Sequence, residues 1–75
     1  MKHSQVEAEA ARLQRRINDH IATHWRQWSR LAYLSMIEQI ARDELGGLWE
    51  YMVAESLGGP PAVAITRYTG PVEEG

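Results

Sequence analysis

The sequence predicts an all-α chain: a helical hairpin, a short third helix and an extended C-terminal arm. Two observations carry that expectation. From residue 4 to residue 45 there is no glycine or proline, good helix formers are frequent and apolar residues recur at helical spacing. Gly46-Gly47 and Gly58-Gly59-Pro60-Pro61 then punctuate the remainder of the chain.

The first helix is placed at about 4–27. Ser4 with Glu7 three residues on has the capping-box pattern, in which the serine oxygen accepts from a free backbone N–H and the glutamate answers. Val6, Ala10, Leu13, Ile17, Ile21, Trp25 and Trp28 then keep one phase around the helix. Leu34, Ile37, Ala41, Leu45 and Leu48 keep another, more than about 120° away on the same wheel. The stripe jumps near Ser29, so the chain is expected to turn between Thr23 and Ser29 and return as a second helix over 30–45. One continuous helix, roughly 60 Å long, is the alternative. The absence of glycine from the turn region argues for it, because tight helix–helix turns often contain one.

Gly46-Gly47 ends the second helix, and residues 48–57 are read as a short third one. Gly58-Gly59-Pro60-Pro61 stops that helix, since proline lacks an N–H and pushes its predecessor out of helical geometry. Residues 62–69 are rich in Val, Ile, Thr and Tyr and read as a single strand. A lone strand has no ladder partner, so it is expected to remain an arm or to pair with another chain. The organisation expected is a helical domain over 1–59 and an arm over 60–75.

Composition sharpens the need for another chain. Seventy-five residues bury only about 60% of the surface that the unfolded form exposes. With no cysteine, neither a disulfide nor a thiolate metal site can reinforce so small a core. Six Leu, five Ile, four Val and no Phe are few, and three Trp, three Tyr and three Met supplement them. The net charge of −2 is divided unevenly. Residues 1–33 hold Lys2, Arg12, Arg15, Arg16, Arg26 and Arg30 against three acids; residues 34–75 hold Arg42 and Arg67 against seven. A two-ended charge distribution fits a second copy packed antiparallel, the chain's own halves folded together, or an acidic partner for the basic end. No apolar run approaches the ~18 residues of a membrane span, and the N-terminus lacks the order of a secretory signal, so a cytoplasmic setting is expected.

Catalysis has little support. There is no cysteine nucleophile, no Gly-x-Ser-x-Gly elbow, no phosphate-binding loop and no dinucleotide fingerprint, so no enzyme, catalytic residue or cofactor is implied. His20 and His24 lie four apart, a spacing that suits one zinc ion, but a structural site needs about two further ligands. They remain weak metal candidates. Arg12, Arg15, Arg16, Arg26 and Arg30 share roughly 100° of arc if the first helix reaches Arg30. Such a ridge reads first as a solvated face, with Asp19 spaced to pair with Arg15 and Arg16, and otherwise suits an acidic protein surface or, with bidentate guanidinium–phosphate contacts, a nucleic acid. Trp25, Trp28, Trp49 and Tyr68 suit the core of so small a chain or, through their polar tips, an edge or interface, and Ile65 lies in the arm. These ten residues are the candidate partner-binding set.

The function expected is that of a small non-catalytic adaptor, assembly factor or inhibitor of the kind that bacteria and phages encode. It would act as a homodimer or higher oligomer on a larger protein. A nucleic-acid-binding regulator that uses the arginine face is the alternative.

Overall fold

A computed structural model describes residues 1–73 as two helices followed by a two-stranded antiparallel sheet, so the chain is mixed α/β rather than all-α. The elements in order are α1 (His3–His24), a 3-10 turn (Trp25–Gln27), α2 (Tyr33–Leu45), β1 (Trp49–Ala54) and β2 (Ala62–Tyr68).

Helix α1 starts one residue before the expected Ser4, and Gln5 supplies the reciprocal cap in place of Glu7. The extended backbone of Lys2 donates its N–H to Gln5 Oε1 at 3.2 Å, while the Gln5 N–H donates back to the Lys2 carbonyl at 2.9 Å. Leu13, Ile17 and Ile21 recur every four residues and are buried. The helix ends at His24 rather than near residue 27, passes through the 3-10 turn and breaks at Trp28, whose φ of −90° and ψ of 141° are extended. The Ser29 carbonyl accepts from the N–H groups of Ala32 and Tyr33 at 3.1 and 3.0 Å and so starts α2 at Tyr33, not at residue 30. This turn requires no glycine because none of its residues has a positive φ. Helix α2 buries Ile37, Ala41 and Leu45, whereas Leu34 and Leu48, expected on the same stripe, are exposed. At its end Gly46 adopts φ 60°, ψ 22°, and its N–H donates to the Arg42 carbonyl at 2.9 Å.

The expected third helix over 48–57 is replaced by β1. Trp49, Tyr51 and Val53 turn toward the core while Glu50, Met52 and Ala54 are exposed, the period-two pattern of a half-buried strand. β1 pairs with β2 in the register Tyr51↔Ile65, Met52↔Ala64, Val53↔Val63 and Ala54↔Ala62. A bulge leaves Thr66 unpaired before Glu50↔Arg67 and Trp49↔Tyr68. The segment expected as a lone arm therefore finds its ladder partner within the chain. The Gly-Pro cluster is the loop between the two strands rather than a helix stop before an extended arm.

The outer edge of β2 is closed by α1. Asn18 Nδ2 donates to the Val63 carbonyl at 3.0 Å, and the Val63 N–H donates to Asn18 Oδ1 at 2.7 Å. One turn earlier, Gln14 Oε1 accepts from the Ile65 N–H at 3.0 Å. A single core joins Leu13, Ile17 and Ile21 of α1 to Ile37, Ala41 and Leu45 of α2 and to Trp49 and Val63 of the sheet. Beyond β2 the chain follows the start of α1: the Glu73 N–H donates to the Met1 carbonyl at 2.9 Å. Gly70 lies against the Tyr68 ring, where a Cβ would collide with the phenol while its hydroxyl donates to the Pro71 carbonyl at 3.1 Å.

Candidate protein-binding cleft

The break after α1 sets Trp25 and Trp28 on either side of a 3-10 turn, and Tyr33 opens α2. All three rings are only half-buried. Facing them is the loop over residues 55–61, with Glu55, Ser56, Leu57, Gly58, Gly59 and Pro61. Between turn and loop lies a cleft of about 660 Å³, also lined by Arg26 and Arg30. The volume falls within the range of small-ligand pockets, but this site is an open groove. The Arg26 guanidinium lies 5.6 Å from the Trp25 ring centroid, a cation–π distance that holds the cation over the aromatic wall. Leu57 is fully exposed at the loop, an apolar side chain next to an apolar-walled groove.

The ten expected partner-binding residues divide into three groups. Trp25, Arg26, Trp28 and Arg30 line the cleft. Trp49, Ile65 and Tyr68 belong to the core or pack against it; the Trp49 and Tyr68 rings meet at 4.7 Å with a 54° tilt, as a cross-strand pair. Arg12, Arg15 and Arg16 stay on α1, away from the cleft. Arg12 pairs with Glu9, and Arg16 Nε lies 3.2 Å from Glu44 Oε2 on α2. The Arg12 hydrogen bond, aided by its charge, holds the Glu9 carboxyl below its usual range, and the same contact raises Arg12. Because α1 ends at His24, the five arginines do not form one helical ridge; Arg26 and Arg30 leave the helix and turn toward the aromatics.

The sequence pattern missed Tyr33, Glu55 and Leu57 as members of the site. A signal for the loop was present, since two apolar alternating runs flank a Gly-Pro cluster, which is the pattern of a hairpin. His20 and His24 do share a face, with ring centroids 4.7 Å apart. Among the described residues no group of three or more His, Asp or Glu is placed to hold a metal ion. Nor is any helix there long and apolar enough to cross a membrane. The cleft sets three aromatic rings and two guanidinium groups, Arg26 and Arg30, opposite a loop that carries one carboxylate, Glu55.

Protein-family models, curated proteins and solved structures give no match to this chain.

Proposed function

We propose that this chain is a small non-catalytic adaptor or inhibitor that holds a short segment of a larger cytosolic protein in the cleft between the Trp25–Gln27 turn and the hairpin loop. The observation that carries this reading is the convergence of Trp25, Trp28 and Tyr33 with Arg26 and Arg30 on one open groove. Tryptophan, tyrosine and arginine are the residues that dominate binding energy at protein interfaces. The segment best suited to the groove presents an aliphatic or aromatic anchor beside an aspartate or glutamate. The anchor would displace water from the indole faces, and the carboxylate would meet a guanidinium.

The test is a fluorescence titration of the full chain against an array of short peptides that carry one apolar anchor, with and without a flanking acid. Trp28→Ala is expected to weaken the best binder by at least tenfold, on the order of 1.4 kcal/mol. Arg26→Ala with Arg30→Ala is expected to remove the preference for the acid while the anchor preference remains. If no peptide binds, or if Trp28→Ala binds as tightly as the original chain, the reading fails.

A further inference from the structure

The two edges of the sheet are treated differently. On β2, both backbone groups of Val63 bond to Asn18 and the Ile65 N–H bonds to Gln14, so these groups point away from β1. Their partners across the ladder are Val53 and Tyr51, whose own N–H and C=O must therefore point away from β2. The Thr69 N–H donates to the Leu48 carbonyl at 2.7 Å, so alternation turns the groups of Trp49 outward as well. Trp49, Tyr51 and Val53 thus present a row of donors and acceptors along the open edge of β1, with no partner among the described residues. That edge has no lysine or proline, the residues that commonly block edge pairing.

We infer that the open edge of β1 pairs antiparallel with β1 of a second copy about a two-fold axis at Tyr51, joining two hairpins into one four-stranded sheet. The edge is self-complementary in one register. With Tyr51 opposite Tyr51 of the second copy, Trp49 falls opposite Val53 and Val53 opposite Trp49, so every outward donor meets an outward acceptor. Sliding by one pair in one direction sets Glu50 against Glu50, and sliding the other way leaves Trp49 unpaired. In the symmetric register Glu50 instead faces Met52 of the second copy, and Leu48 faces Ala54. The exposed Leu48 and Met52, at 44% and 59%, thereby gain neighbours on the outer face of the sheet.

The size of the exposed surface agrees with a missing neighbour. The chain exposes 5618 Å². A compact monomer of 8.5 kDa exposes about 4,700 Å². The helices cover one face of the two-stranded ribbon, as so small a sheet requires, but they leave the edge of β1 open. Here α1 supplies the closure on one edge only.

The test combines sedimentation of the full chain with two substitutions at one exposed position. The chain is expected to be a reversible dimer. Met52→Glu places a carboxylate opposite Glu50 twice per dimer and should weaken association roughly threefold to tenfold; Met52→Lys places an ammonium there and should tighten it by a similar factor. Amide exchange of the original chain should show Trp49, Tyr51 and Val53 protected in proportion to the dimer population. A monomer at millimolar concentration whose three amides exchange freely would overturn the inference, as would equal shifts in the same direction for both substitutions. Trp28→Ala lies outside this edge and should leave the dimer intact, which separates failure here from failure of the cleft.

Discussion

Asn18 closes the edge of β2 with one side chain. Its amide offers a donor and an acceptor in the arrangement of a neighbouring strand, and both are taken up by Val63. Removing it leaves the Val63 N–H and C=O without partners in a part-buried position. Asn18→Ala should therefore cost about 1–3 kcal/mol in urea denaturation. Asn18→Asp keeps the acceptor for the Val63 N–H but sets a charged oxygen against the Val63 carbonyl, and should cost at least as much. Legibility in the sequence divides at this same scale. The buried Leu13, Ile17 and Ile21 announce themselves by helical spacing, because a periodic stripe is what a core face requires. Asn18 and Gln14 do not: their partners lie 45 and 51 residues away, and a polar residue that caps a strand looks locally like any other on a wet helix face.

At the scale of elements, β1 was hidden by a real ambiguity. Leu48 and Met52, four apart, support helical spacing in a short apolar run, and Trp49, Tyr51 and Val53 support alternation equally well. Pairing decided the matter, since β2 needed a partner and β1 is the segment within reach of a seven-residue loop. The cleft inherits this dependence. From the sequence, Trp25 and Trp28 flank the expected turn and Arg26 and Arg30 belong to an expected ridge on α1; the wall opposite all four exists only because β1 and β2 form a hairpin. The junction between α2 and β1 rests on Gly46, whose left-handed backbone turns the chain out of the helix. Gly46→Ala has space for the added Cβ but not the conformation, and should lower stability by about 1 kcal/mol in thermal unfolding.

Over the whole molecule, a long narrow shape keeps the two proposed surfaces distinct. The extents are 46 × 17 × 16 Å and the radius of gyration is 13.4 Å, against about 11 Å for a compact domain of this length. The salt bridge between Arg16 and Glu44 ties α1 to α2, yet Arg16 is exposed and Glu44 only half-buried, and such surface pairs contribute less than about 1 kcal/mol. Apolar burial shared by all four elements and the closure of β2 by α1 hold the chain together. Deletion after Gly59 would remove Val63 from the core and take from β1, Asn18 and Gln14 the strand they pair with. The truncated chain should lose cooperative unfolding and much of its helical circular dichroism, rather than remain a folded helical pair.

The closure of β2 by α1 also fixes an order of events. Gln14 and Asn18 emerge early in synthesis, but the backbone they satisfy follows 45 to 51 residues later. The entropy of closing so long a loop falls due before any of these contacts repays it. Until β2 leaves the ribosome, α1 carries an exposed apolar stripe beside polar groups with only water to bond. The nascent chain is thus most vulnerable to aggregation and proteolysis just before its last strand arrives.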